Sequence, residues 1–200
     1  MITTTLNRIR EHSPCEDGWT NLLAGLGKTS ADDAALPFAT ILEINGLDNA
    51  HWCCRAEPQY AKEWRLLMVA YARRVEDQVT VPRIKNTIDV AERYANGKAT
   101  DEELYAAWDA ARVAIGIASR ATRRATRAAI WVARETARAD AWDEIWFLAR
   151  SARDAAGDAV RNAARPTKDA MGAAWEAERE WQAQEFLRCV TETGASDGYR

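Results

Sequence analysis

The chain has 200 residues, a net charge of −3 and 48% hydrophobic residues. That length gives one domain room for a core, and the negative balance excludes any global attraction to nucleic acid or an anionic membrane. No apolar run approaches the roughly 20 residues a membrane-spanning helix needs, and MITTTLNRIREHS has no apolar leader core, so the expected location is cytoplasmic.

Punctuation divides the first half into short helices. Thr3, Thr4 and Thr5 offer caps for a helix reaching about Glu11, and Pro14 ends it. Asp17 opens the next, with Trp19, Leu22, Leu23 and Leu26 as its apolar stripe and Gly27 as its stop. Asp32, Asp33 and Pro37 introduce FATILEIN, which Gly46 closes. LDNAHWCCRAE forms a further short helix before Pro58. Trp64, Leu67, Met68, Tyr71, Ala72 and Val75 make one helical stripe. Pro82 starts another helix, with Ile84, Ile88, Ala91 and Tyr94 facing inward and Gly97 as its cap.

Thr100 and Glu103 form a capping box, T-x-x-E, before a tract of Ala, Arg, Asp and Trp with no proline from Ala99 to Arg165. One helix over Asp101–Arg165 is about 97 Å long at ~1.5 Å per residue. A compact domain of this size is only about 42 Å across. A break near Ala139–Asp140 is therefore expected. Pro166 separates a last helix, about Thr167 to Thr193, and 194–200 reads as a loose tail. The expected architecture is all-α: one helical domain over 1–200, with short helices in 1–98 and long Ala-rich helices in 99–193.

Ala107, Ala111, Ala114, Ala118, Ala121, Ala125, Ala128 and Val132 recur at steps of four and three, the pattern of a close seam within a bundle or between two copies. Nine tryptophans are hard to bury in a domain this small, which leans the expectation towards a homodimer.

Chemical motifs are few. AGLGKTS lacks the first glycine of a phosphate-binding loop, because Leu22 stands there, and Gly27 reads as a helix cap. His12, Cys15, His51, Cys53 and Cys54 lack two clean ligand pairs, so buried free thiols and exposed histidines are expected, with no metal. Asp32–Asp33, Glu102–Glu103 and Asp143–Glu144 read as helix N-terminal acids. Nothing here points to an enzyme or a cofactor.

The candidate partner-binding residues are Arg120, Arg124, Arg127, Trp131, Arg134 and Arg138. Their steps of four and three put them along one helix side for about 27 Å at ~1.5 Å per residue. Three uses are open: pairing with acids such as Asp154, Asp158 or Glu176, docking an acidic protein surface, or tracking a phosphate backbone.

The segment RLLMVAYARRVEDQVTVPRIKNTIDVAERYANGKATDEELYAAWDAAR resembles alanine-rich helical proteins of phages, prophages and bacterial toxin loci, often called immunity proteins. The likeness covers about Arg65–Arg165, with GWTNLLAGLGK and NGLDNAHWCCRA as weaker echoes. It implies an all-α binding protein of a mobile element, without catalytic residues. Such a protein would neutralise a toxin or a host defence complex, for example as an anti-CRISPR protein. Nucleic-acid binding through the arginine face is the alternative.

Overall fold

The structure, a computed structural model, describes residues 1–74, 76, 82–115 and 167–192. The described part is all-α. Seven helices, α1 (Leu6–Glu11), α2 (Glu16–Gly25), α3 (Phe38–Cys53), α4 (Ala61–Arg74), α5 (Pro82–Ala95), α6 (Asp101–Ile115) and α7 (Lys168–Glu192), are joined by two 3₁₀ turns at Cys54–Ala56 and Pro58–Tyr60. A two-residue ladder accompanies them: β1 (Thr3–Thr4) pairs antiparallel with β2 (Leu36–Pro37). The proposed break at Ala139–Asp140, most of the alanine seam and the tail 194–200 lie outside the described residues.

The chain divides into two compact units, Met1–Ala61 with Ala183–Arg200, and Lys62–Gln182. In the first, the Thr5 hydroxyl accepts from the Arg8 N–H and caps α1. Ile2 enters the core with its N–H on the Val190 carbonyl at 2.6 Å, satisfying one of the orphan acceptors at the end of α7. Leu6, Ile9, Leu22, Phe38, Ile41, Phe186 and Val190 fill this core.

Helix α2 stops as its sequence suggests. The Lys28 N–H reaches the Leu23 carbonyl and the Gly27 N–H reaches Ala24, with Gly27 at φ +64°. Of the predicted stripe on α2, only Leu22 is fully buried. Asp32 and Asp33 do not cap a helix, contrary to the sequence reading. Pro37 is the residue before α3, while Asp32 pairs with Lys28 at 2.6 Å and Asp33 accepts from the Asn7 amide. The β1–β2 ladder lies between these acids and α3, and it was not visible in the sequence.

Gly46 breaks α3 at φ 75°, ψ 173°, a conformation essentially reserved for glycine. The two predicted helices on either side of it are thus two segments across a kink. Asparagines bridge the kink to α2: Asn45 donates to the Gly18 carbonyl at 2.8 Å, and Asn21 donates to Asn45 and to the Ile44 carbonyl. Helix α2 also comes so close that a Cβ on Gly25 would lie 2.5 Å from Ile44 Cγ2. Gly25→Ala is therefore expected to destabilise the protein by about 1 kcal/mol, the overpacking cost less the helix-propensity gain. A thermal melt unchanged or raised in the variant would contradict this approach of the helices.

In the second unit, α4 buries Trp64, Leu67, Met68, Tyr71 and Ala72 as the stripe predicts, together with Val69, while Val75 of that stripe lies outside the described residues. Helix α5 starts at Pro82 and buries Ile88, Val90, Ala91 and Ala95; Tyr94 is half-buried. Gly97 at φ +68° closes it, with the Lys98 N–H on the Arg93 carbonyl. The capping box forms in full: the Glu103 N–H donates to Thr100 Oγ1 at 3.2 Å, and the Thr100 N–H donates to Glu103 Oε2 at 2.9 Å. Helices α5 and α6 form an antiparallel hairpin, tied inside by the Thr87 hydroxyl on the Ala107 carbonyl at 3.1 Å. The Thr167 hydroxyl caps α7.

Candidate binding surface

The residues that the sequence put forward, Arg120, Arg124, Arg127, Trp131, Arg134 and Arg138, all lie outside the described residues. A second group of arginines and aromatic rings lies within them. Three described guanidinium groups rest on rings: Arg55 over Trp52 at 4.3 Å in the first unit, and Arg65 over Tyr94 at 5.5 Å and Arg74 over Trp181 at 5.2 Å in the second.

The Arg65 pair lies at the α5–α6 hairpin. Tyr94 occupies the last turn of α5, and its hydroxyl bonds to the Asp101 carboxylate at the start of α6. Burial, then the Asp101 bond and charge, push the Tyr94 phenol up, with Arg65 opposing and the neighbouring Tyr105 adding a smaller upward push. Tyr105, one turn into α6, is 49% exposed. Tyr94, Tyr105, Arg65 and Asp101 thus combine two π-faces, a fixed cation and a carboxylate. Glu102 and Glu103 flank them, and Arg93 reaches Glu103 at 3.5 Å. A planar guanidinium held on a ring loses little freedom on binding, and tyrosine adds area at low entropic cost.

On α7 the arrangement is structural. Glu178 is buried, and burial pushes its carboxyl up while Arg74 and the Gln182 amide pull it back. The Tyr71 hydroxyl donates to the Gln182 carbonyl at 3.1 Å, and its ring meets Trp181 edge-on at 5.9 Å. One face of this segment is open, where Trp175 is 41% exposed.

Several other described arginines are held by carboxylates. Burial opposes the charge on Arg73, but its bonds to Glu92, Glu76 and Asp89 raise its pKa. Arg8 pairs with Glu57 at 2.8 Å, and Arg188 pairs with Glu185 and Glu192. These ion pairs neutralise locally the charge that a phosphate-tracking stripe would need.

The histidine reading is corrected in part. His12 is exposed as expected, whereas His51 is fully buried, its ring edge-on to Phe186 at 5.2 Å. Packing against α7, which sequence periodicity does not reveal, takes it out of water. Cys53 and Cys54 are buried free thiols, as expected, while Cys15 is exposed. Among the described residues no group of three His, Cys, Asp or Glu could hold a metal ion. An open depression of about 510 Å³ is lined by Asn7, Arg10, Glu11 and Asp33. Among the described residues no helix is long and apolar enough to cross a membrane.

Sequence reasoning missed the Tyr94–Tyr105–Arg65 patch. It placed Tyr94 on the buried stripe and gave Tyr105 no role. The available signal was a tyrosine just after a capping box, off the stripe of its helix. Compared with models of known families, with curated proteins and with solved structures, the chain gives no match.

Proposed function

We propose that the protein is a non-catalytic binding protein that inhibits or neutralises a protein partner by stoichiometric binding. The observation that carries this reading is the patch of exposed Tyr105, half-buried Tyr94 and half-buried, ring-stacked Arg65, edged by Asp101. Tyrosine, tryptophan and arginine dominate the energetic centres of protein interfaces. Exposed Trp175 adds a further anchor of that kind. Acids around the patch oppose the approach of a phosphate backbone, which favours a protein over a nucleic acid. The resemblance to phage and prophage immunity proteins suggests the setting: a mobile element, with a toxin or a host defence complex such as a CRISPR effector as the target. The arginine–tryptophan face of 120–138 belongs to the same proposal as a second contact surface, and a homodimer is compatible with both.

Binding to purified defence effectors and toxins tests this reading. Tyr105→Ala is expected to weaken an identified complex roughly tenfold, and Arg65→Ala with Tyr105→Ala more than either alone. A control titration with duplex and single-stranded nucleic acid at low salt is expected to show no binding. Strong binding there, falling steeply as salt rises, would replace the protein reading with a phosphate-tracking one.

A further inference from the structure

Adjacent cysteines occur once in this chain, at Cys53 and Cys54, and both are buried free thiols. Cys15 precedes α2, and its Sγ lies 3.0 Å from the position that a Cβ on Gly18 would take. Asn49 Oδ1 lies 2.9 Å from that same position. Asn49 and Cys53 are one turn apart on the second segment of α3, so Cys53 follows Asn49 along the face that Cys15 meets. On the other side, the His51 ring packs on Phe186 of α7. Cys54 lies three residues beyond His51, and Cys189 lies three residues beyond Phe186. The Cys54 Sγ is directed back onto the Ala50 carbonyl at 3.6 Å, on the buried side of the chain. All four residues belong to the first unit.

We propose that the four cysteines form two redox pairs, Cys15 with Cys53 and Cys54 with Cys189, and that a peroxide-class oxidant converts them into disulfides stapling α2 and α7 to the end of α3. Electrostatics agree with this pairing. The charge of Cys15 is felt at Cys53, and that of Cys189 acts on Cys54 more strongly than that of neighbouring Cys53. Burial pushes the Cys53 thiol up to about 12 and the Cys54 thiol well up, so neither is an open target for oxidant. Cys15 is exposed and Cys189 is half-buried, so these two are met first. Peroxide converts the accessible thiol to a sulfenic acid, releasing one water. The buried partner's sulfur attacks it, forms the S–S bond and expels a second water. Two thiols and one peroxide give one disulfide and two waters. Because the attacking thiols are held protonated, the second step is slow near neutral pH and quickens as pH rises.

The test uses the full chain treated with hydrogen peroxide, alkylated, digested without reduction and mapped by mass spectrometry. Linked peptides Cys15–Cys53 and Cys54–Cys189 are expected, with a melting temperature raised by roughly 10 °C, since the second bond closes a loop of more than a hundred residues. Cys15→Ser is expected to abolish the first link and leave the second, and Cys189→Ser the reverse. A vicinal Cys53–Cys54 bond, a link between two chains, or peroxide converting Cys15 and Cys189 only to sulfinic acids would each overturn the pairing. Neither serine variant removes a fully buried side chain, so both are expected to fold.

Discussion

Replacing Phe186 with alanine is expected to destabilise the protein by about 3–5 kcal/mol, because the ring is completely buried and nothing beside it can close the gap. Phe38 lies 6.2 Å away at a tilt of 56°, and His51 meets it edge-on at 5.2 Å. Both neighbours are themselves fully buried, and each is anchored on α3. Truncation removes the transfer free energy of the ring and leaves a cavity beside a buried imidazole. The next residue supplies the control. Leu187 is 36% exposed, so Leu187→Ala is expected to change stability by no more than about 0.5 kcal/mol. Urea unfolding of both variants checks the orientation of α7. Equal losses from the two would mean that the helix does not present the face described.

The contrast between Phe186 and Leu187 shows what was legible in the sequence. Helix starts and stops were, because they depend on residues three or four apart. The Thr100–Glu103 box and the glycine stops at Gly27 and Gly97 form as read, and Thr5, one of the three threonines offered, caps α1. The stripe on α4 also followed from spacing alone. Features built from distant segments were not legible. The pairing of Thr3–Thr4 with Leu36–Pro37 and the bond from Ile2 to Val190 join residues that no local pattern connects. The burial of His51 follows from α7 arriving over it, and the misreading of Asp32–Asp33 from a ladder inserted before α3.

The surface obeys the same division. A run such as Arg120–Arg138 announces itself by period, yet its role depends on which acids the fold brings near. The described arginines show how strong that effect is: Arg73 alone engages three carboxylates, two of them on α5. The patch of Arg65, Tyr94 and Tyr105 has no period to announce it. It exists because the α5–α6 hairpin places the last turn of one helix beside the first turn of the next, with α4 supplying the arginine. Binding surfaces of this kind are assembled by topology, and the sequence offers only their parts.

The second large effect is expected at Glu57, between the two 3₁₀ turns. Its carboxylate is 1% exposed and faces the Arg8 guanidinium at 2.8 Å, with the Gln59 amide also donating to it. Isolating a carboxylate in that position is costly, because a buried ion that loses its counter-charge keeps its desolvation penalty. Arg8→Met is therefore expected to cost about 2–3 kcal/mol, below the full range for a buried pair because Arg8 itself is 42% exposed. Glu57→Gln keeps the shape and an acceptor oxygen and removes the charge, so its cost is expected to be about 1 kcal/mol. The double variant carries no stranded charge. It is expected to be more stable than Arg8→Met alone, giving a coupling of about 1–2 kcal/mol in a double-mutant cycle. A loss near zero from Arg8→Met would show that Arg8 acts through its aliphatic stem on α1 rather than through its charge. A cycle measured by urea unfolding separates these outcomes, because the stem is kept by methionine and the charge is not.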